Sequence, residues 1–465
     1  MKIDILVAEI GSTTTLVNAF NNIESADPVF LGQGSAPTSI KEGDVRIGLD
    51  AAIKNLKKQL SNQPVEITWN SFFATSSAAG GLRMTVHGLV YDMTVKAAKE
   101  AALGAGANIH QVTAGKMRQS DIDRMINIKP NIIMIAGGVD YGERDTALIN
   151  AEAICNALNL TSFKIPVIYA GNIENQDEIK KIFSNYEGKL IIVDNVYPRI
   201  DDLQIAPARK VIQAVFEENI IYAPGMEHIR DMVDGSIVPT PGGVMLAAEI
   251  LKEDIGDLLV IDVGGATTDI HSVTNGSEEI NRILISPEPS AKRTVEGDLG
   301  IFVNRKNVLQ IMFQDQKSID LYTDEARNYM GKIVEDLGPV PTTDKEKRIA
   351  HELTYTAAAA AMERHTGSFR DLYGSRGKTK MAEGRDLTAV MYCIGTGGAL
   401  TRLENGIRIM KKIISNSHGK KLYPGDGTKF LIDKNYTMAS LGVLSKLFPK
   451  AAVNLLKQSL GLPNE

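Results

Sequence analysis

Short apolar runs alternate along this chain with longer stretches that repeat apolar residues at helical spacing. Ile5–Val7, Leu16–Phe20 and Ile132–Ile135 are apolar runs of strand length. Asp50–Leu60 and Val95–Leu103 instead carry apolar residues every three or four positions, which is typical of helices with one buried face. Strands that alternate with helices predict an α/β fold built in layers.

Two unlike segments of the chain recur in the same order. Residues 4–16 read DILVAEIGSTTTL and residues 257–269 read DLLVIDVGGATTD, with an offset of 253 residues from Glu9 to Asp262. A second pair, NIIMIAGG at residues 131–138 and VMYCIGTGG at residues 390–398, recurs at a similar offset. Repetition of both segments at similar spacing predicts a duplicated domain.

The length of the chain also favours more than one domain. A chain of 465 residues is too long for a single hydrophobic core. The Pro/Gly-rich stretch Val238–Gly243 predicts a linker-like turn near the middle. We therefore place a first domain at residues 1–235, a second at 236–437, and a C-terminal connecting helix with a tail at 438–465.

Composition narrows the classes of function. A formal net charge of −5 gives no general attraction to nucleic acid or to anionic membranes, so neither is an expected partner. Cys155 and Cys393 lie far apart in sequence, which argues against a disulfide scaffold or a zinc site and favours buried thiols. The N-terminus lacks the apolar region of a signal peptide, and no run reaches the length of a membrane span, so we expect a cytoplasmic protein.

The segment from Asp262 to Asp269 has the residue types of a phosphate-binding turn. An apolar run ends in the acid Asp262, and Gly264 with Gly265 permits a tight turn whose backbone N–H groups approach a ligand closely. The two threonines that follow add hydroxyl donors, and carboxylates beside them suit Mg²⁺. An ordinary Gly-Gly hairpin is the alternative for one copy, but the second copy at Glu9 favours a nucleotide site.

Together the two copies resemble the phosphate motifs of the superfamily of actin, heat-shock chaperone ATPases and sugar kinases. Cys393–Leu400 is similar to the adenosine motif of that superfamily, and Tyr436–Val443 is similar to its second connecting helix, where small residues let the domains approach closely. The resemblance implies an α/β fold with duplicated actin-like ATPase (ribonuclease H-like) domains and a nucleotide cleft between them.

The resemblance also implies ATP or ADP with Mg²⁺ as ligands. Glu9, Asp262 and Asp269 are the implied catalytic residues, and Glu9 and Asp262 would face the metal through its waters. The implied nucleotide contacts are Gly11, Ser12, Thr13, Thr14, Gly264, Gly265, Thr267, Thr268, Gly297, Asp298, Gly395, Thr396, Gly397 and Gly398. Two positions depart from the superfamily pattern, because Glu9 stands where Asp is usual and no acid precedes Pro239-Thr240.

The chain as a whole resembles a narrower group, the accessory L proteins of glutamate mutase and ornithine aminomutase. Glu9–Thr15, Ile135–Asp140, Asp262–Asp269 and Arg293–Gly300 carry this likeness. It implies an ATP-binding protein, and an ATPase if hydrolysis occurs, that reactivates or chaperones an adenosylcobalamin-dependent mutase and binds its subunits. A small-molecule kinase and an ATP-dependent polymer-former remain alternatives, and a homo-oligomer stays open.

Overall fold

The computed structural model describes residues 1–40, 42–60, 67–77, 82–161, 163–219, 225–314, 330–332, 334–335, 341–374, 377–415 and 419–463. The strands are β1 Lys2–Ile10, β2 Thr14–Asn21, β3 Val29–Pro37, β4 Thr68–Ser76, β5 Leu82–Gly88, β6 Ala107–Ala114, β7 Ile132–Ile135, β8 Val167–Tyr169, β9 Leu190–Ile192, β10 Val238–Pro239, β11 Leu258–Val263, β12 Thr268–Val273, β13 Ala291–Glu296, β14 Ser368–Gly374, β15 Gly377–Glu383, β16 Tyr392–Thr396 and β17 Lys429–Ile432.

Helices connect these strands. They are α1 Val45–Leu60, α2 Lys96–Gly104, α3 Gln119–Ile128, α4 Asp145–Asn159, α5 Gln176–Ile182, α6 Ala206–Asn219, α7 Met226–Met232, α8 Thr240–Ile255, α9 Glu278–Asn281, α10 Arg305–Gln314, α11 Asp344–His365, α12 Gly397–Arg402, α13 Gly406–Ser415, α14 Met438–Leu444 and α15 Pro449–Leu460. A π-helical turn, Tyr91–Val95, precedes α2. The longest helix, α11, begins at a capping box in which the Thr343 hydroxyl accepts from the Glu346 N–H and the Glu346 carboxylate accepts from the Thr343 N–H.

Two sheets have the same strand order. The first runs β3-β2-β1-β4-β10 and the second runs β13-β12-β11-β16-β17, so each reads 3-2-1-4-5 when its strands are numbered by appearance in the sequence. In each, the central strand pairs antiparallel with the strand that follows it in sequence and parallel with a later one: β1 with β2 and β4, and β11 with β12 and β16. This repeated topology confirms the expected fold class, an α/β fold with duplicated actin-like domains.

A third sheet is inserted between the last two strands of the first. Its order is β6-β5-β7-β8-β9, and every pairing in it is parallel. Numbered by appearance, these strands run 2-1-3-4-5, which is a doubly wound order. We call residues 82–219 the inserted unit. Since β10 pairs with β4, the first sheet resumes after the inserted unit and ends at Pro239.

This topology corrects the second half of the sequence repeat. Residues 131–138 contain β7 of the inserted sheet, so they are not the counterpart of residues 390–398, which contain β16. The strand that holds the position of β16 in the first sheet is β4, Thr68–Ser76. The predicted equivalence of the two Gly-Gly segments was therefore wrong. Each segment contains a buried parallel strand followed by two glycines, so the sequences look alike although the strands belong to different sheets.

Two helices, α8 and α14, cross between the first two sheets. The buried cluster that contains them also holds Val7 of the first sheet and Val260 of the second. A Cβ on Gly442 of α14 would lie 1.8 Å from the Gly243 carbonyl oxygen of α8, so the helices approach with backbone against backbone. This agrees with the small residues that predicted a close connecting helix. Among the residues that the structure describes, none of the helices has the length and apolar content needed to cross a membrane.

Candidate functional site

A cleft of about 1480 Å³ lies between the first and second sheets. Both central strands end at it, so residues from the two halves of the chain share its wall. Of the predicted site residues, those that line it are Glu9, Gly11, Ser12, Thr13, Thr14, Asp262, Gly264, Gly265, Thr267, Asp269 and Gly398. The structure therefore brings both predicted turns and all three predicted acids to one cleft.

The two turns are built alike. The Gly11 N–H donates to the Thr14 carbonyl at 3.0 Å, and the Gly264 N–H donates to the Thr267 carbonyl at 2.9 Å. The turns also face each other, because a Cβ on Gly265 would lie 2.9 Å from the hydroxyl oxygen of Thr13. Two matching glycine turns, one from each of the first two sheets, thus meet at the same space, where close approach of backbone to a phosphate chain is possible.

A buried carboxyl group, that of Glu9, and a half-buried one, that of Asp262, lie beside the turns. Burial and repulsion from Asp262 and Asp433 raise the pKa of Glu9 to about 8, although a hydrogen bond from Tyr436 opposes this. Burial, with repulsion from Asp269 and Asp433, raises the pKa of Asp262 to about 7, against an opposing effect of Arg293. The acids therefore repel one another when ionised, and a bound cation would relieve that repulsion.

Mg²⁺ fits these residues. Oε2 of Glu9 is buried and has no hydrogen-bond partner among the described residues, so a ligand position is free there. Within the described ranges, no group of three or more His, Cys, Asp and Glu side chains is arranged to hold a metal ion by itself. Such a group is not required, since protein-bound Mg²⁺ is usually held by one or two carboxylates, phosphate oxygens and water. Glu9 and Asp262 would hold the ion.

Asp269 has a different role from the other two acids. Its carboxylate forms a buried ion pair with Arg293 at 2.6 Å and accepts from the Thr267 hydroxyl at 2.9 Å. Since Thr267 belongs to the second turn, Asp269 fixes that turn in place. Its negative charge is already matched by Arg293, so Asp269 supports the second turn from within the protein.

The family is decided by comparison with known proteins. The family model described as MutL protein matches residues 5–460, nearly the whole chain. The chain belongs to the MutL protein family. A member of this family, Protein MutL from Clostridium tetanomorphum, is 33% identical over 469 residues, which span 98% of each chain. The resemblance to accessory L proteins drawn from the sequence is thereby confirmed.

Solved structures resemble the MutL-family chain more distantly. An activator of the 2-hydroxyisocaproyl-CoA dehydratase from Clostridium difficile aligns over 99% of this chain and 98% of its own, with 10% identity and a TM-score of 0.32. A glycerol dehydratase reactivase aligns over 95% of this chain and 100% of its own, with 10% identity and a TM-score of 0.32. The repeated strand order of the first two sheets is the feature that identifies the fold.

Some predicted contacts of this MutL-family chain lie outside the cleft. Thr268 is buried and its hydroxyl donates to the Leu299 carbonyl at 2.8 Å, so it does not offer that hydroxyl to phosphate. Gly297 and Asp298 are also absent from the lining, and Asp298 pairs instead with Arg364 at 3.3 Å. The loop they begin still supports the site, since a Cβ on Gly300 would overlap the backbone of Ala266 in the second turn.

Most residues of the predicted adenosine motif lie behind the residues that line the cleft. Gly395 lies within β16, and the Thr396 hydroxyl donates to Asp433 at 3.0 Å. A Cβ on Gly397 would lie 2.4 Å from Oδ1 of Asp262, so this glycine leaves room for the acid. Of the motif's predicted contacts, Gly398 lines the cleft directly.

The sequence interpretation did not identify three further residues at or beside the cleft: Asp433, Gln33 and Arg402. Asp433 directly follows β17, and it accepts from the backbone N–H of Thr437 at 2.8 Å, which ties the start of α14 to the site. Gln33 and Arg402 both line the cleft and hydrogen bond to each other from opposite domains. An acid after an apolar run was a usable signal for Asp433. Nothing local in the sequence indicates the Gln33–Arg402 contact.

Proposed function

We propose that this protein binds ATP with Mg²⁺ in the cleft, hydrolyses it slowly, and acts as an accessory protein that reactivates or chaperones an adenosylcobalamin-dependent mutase of the glutamate mutase or ornithine aminomutase type. The observation that carries the proposal is the approach of Gly265 to Thr13, which sets two equivalent turns against one another across a shared cleft. Membership of the MutL family supports the accessory role.

The residues suggest how nucleotide would act. The turns at Gly11–Thr14 and Gly264–Thr267 hold opposite sides of the triphosphate, so binding favours a closed cleft and phosphate release favours an open one. Glu9 and Asp262 hold Mg²⁺, which neutralises phosphate charge when bound. A partner that binds one of these two states more tightly is bound in that state and released in the other.

Recovery of a damaged mutase tests the proposal. Glutamate mutase inactivated with cyanocobalamin is incubated with this protein, Mg-ATP and fresh adenosylcobalamin, and mutase activity is followed. We expect recovery with the wild-type protein and with Asp298→Asn, whose side chain is exposed outside the cleft, but not with Asp262→Asn. Recovery no greater than in a sample without ATP would refute the proposal.

The size of the cleft supports one rival, a small-molecule kinase. Its volume of about 1480 Å³ exceeds the roughly 300–1,000 Å³ of an ordinary ligand pocket, which leaves room for an acceptor beside ATP. Phosphate release with no acceptor present favours the accessory role. ADP formation that begins only when a metabolite is added favours the kinase.

A further inference from the structure

The inserted unit has a strand order that normally places a ligand crevice at the carboxyl ends of its strands, where β5 and β7 lie side by side. The loops after β7 and β8 pack backbone against backbone at these ends. A Cβ on Gly138 would lie 2.1 Å from the Glu143 carbonyl oxygen within the first loop, and a Cβ on Gly171 of the second would lie 2.8 Å from the Gly137 backbone nitrogen. The loops therefore form a close-packed surface at the carboxyl ends of the strands.

The loops at this edge are held rigidly to one another. The Tyr141 N–H donates to the Asn172 side chain at 3.2 Å, and the Ile173 N–H donates to Asp140 at 3.0 Å. Asp140 also accepts from the buried Asn195 side chain at 2.9 Å. These bonds join the loops after β7, β8 and β9, so the residues that the loops carry are fixed in position.

Large apolar side chains project from these fixed loops. Tyr141 is 79% exposed and has a left-handed backbone with φ of 63°, which is unusual for an aromatic residue. Ile173 is exposed on the next loop, and Ile200 is 70% exposed on the one after it. We call Tyr141, Ile173 and Ile200 the apolar platform. Strain and rigid exposure of apolar groups both point to a binding role.

The charges around the platform restrict its partner. The loop segments 139–145, 172–175 and 194–202 contain seven acidic residues (Asp140, Glu143, Asp145, Glu174, Asp194, Asp201 and Asp202) against the two basic residues Arg144 and Arg199. An acidic rim repels anionic lipid and nucleic acid. It attracts a protein surface whose apolar pocket is bordered by lysine and arginine.

We propose that the apolar platform is the docking surface for a protein partner of this kind, an apolar pocket with a basic rim. Rigid presentation lowers the entropy lost on docking, and a central exposed aromatic is the usual anchor of such interfaces. The partner is identified with the mutase only through the proposed function, on which this inference rests. The surface lies in the inserted unit, and therefore outside the duplicated nucleotide-binding sheets.

Binding of purified glutamate mutase by surface plasmon resonance, in the presence of Mg-ATP, tests the platform. Tyr141→Asn, combined with Ile173→Ser, removes both anchors, and asparagine tolerates the left-handed backbone at 141. We expect the dissociation constant to rise by about tenfold or more. The control is Leu160→Ser, which removes an 89% exposed side chain directly after the carboxyl end of α4, at the opposite edge of the inserted sheet; it should change the constant by less than about twofold.

The outcomes separate this inference from the proposed function. Unchanged mutase binding by the double variant, or an equal loss with Leu160→Ser, overturns the platform and leaves the accessory role intact. Binding of the wild-type protein to phosphatidylserine vesicles that is lost in the double variant assigns the platform to membranes and also overturns it. Absence of mutase binding by the wild-type protein contradicts the proposed function. It also overturns the proposal that the apolar platform docks the mutase.

Discussion

Arg293 and Asp269 form an ion pair in which Nη2 of the guanidinium lies 2.6 Å from Oδ1 of the carboxylate, with both side chains buried. Nε also donates to this oxygen at 2.9 Å, and the third nitrogen, Nη1, donates to the carbonyls of Leu103 at 3.2 Å and Ala107 at 3.0 Å. Asp269 lines the cleft, and these carbonyls belong to the inserted unit. One side chain thus connects the wall of the cleft to the inserted unit.

Removal of this connection should destabilise the protein. We expect Arg293→Met to lower the free energy of unfolding by about 3 kcal/mol, because it leaves the Asp269 carboxylate buried without its partner. In urea titrations, Asp269→Asn combined with Arg293→Met should cost less than the two single changes added together. Additive losses would show that the two side chains do not act as a pair.

Metal binding should depend on pH. The pKa values of Glu9, about 8, and of Asp262, about 7, mean that both acids hold protons in the empty cleft below neutrality. A cation requires their ionised forms, so it competes with those protons, and Mg-ADP affinity should rise with pH until both groups have ionised. Calorimetry in buffers of different ionisation enthalpy should detect proton release at pH 7.

The variant Glu9→Gln provides the control for this effect. It removes the group with the higher pKa, so the proton release at pH 7 and the rise in affinity above that pH should both diminish. Proton release equal to that of the wild-type protein would place the titrating groups elsewhere.

The approach of the two turns should be sensitive to a single methyl group. Alanine at 265 would place a carbon 2.9 Å from the Thr13 hydroxyl oxygen, and we expect Gly265→Ala to weaken Mg-ATP binding roughly tenfold. Thr13→Ala removes the clashing atoms but also a hydroxyl donor, so adding Gly265→Ala to Thr13→Ala should cost much less affinity than Gly265→Ala costs in the wild-type protein. Gly297→Ala, where a Cβ meets nothing within 4 Å, serves as the matched control. An equal loss in the control would argue against a closed interface between the turns.

The helix crossing should tolerate no added side chain. In Gly442→Ala the new carbon meets the Gly243 carbonyl at 1.8 Å, so the two helices must separate. We expect a loss of about 3 kcal/mol in the free energy of unfolding. Gly427→Ala, which meets nothing within 4 Å, should change it by less than about 1 kcal/mol. A loss in Gly442→Ala as small as that in Gly427→Ala would mean that the helices can separate without cost.

Much of the site was predictable because its signals are local. The acids Glu9 and Asp262 each stand one residue before the end of a central strand, and the glycines that follow each form the turn that the sequence predicts. The sequence did not indicate that Thr267 lines the cleft while Thr268 is buried. Thr268 begins β12, where pairing turns its side chain into the protein, whereas Thr267 remains in the turn.

The remaining errors concern which sheet a strand joins. Ile132–Ile135 and Tyr392–Thr396 are both buried parallel strands with two adjacent glycines close behind them. The sheet that each strand joins depends on hydrogen bonds to distant parts of the chain, which the local sequence does not indicate. The inserted unit was missed for the same reason. Its strands continue the α/β pattern of the first domain without a change in composition that would mark a boundary.

A crystal structure with Mg²⁺ and a non-hydrolysable ATP analogue tests most directly whether both turns hold one nucleotide. We predict a single triphosphate between Gly11–Thr14 and Gly264–Thr267, with the metal on the side of Glu9 and Asp262. A nucleotide bound by one turn alone, or at a site away from this cleft, would contradict the account.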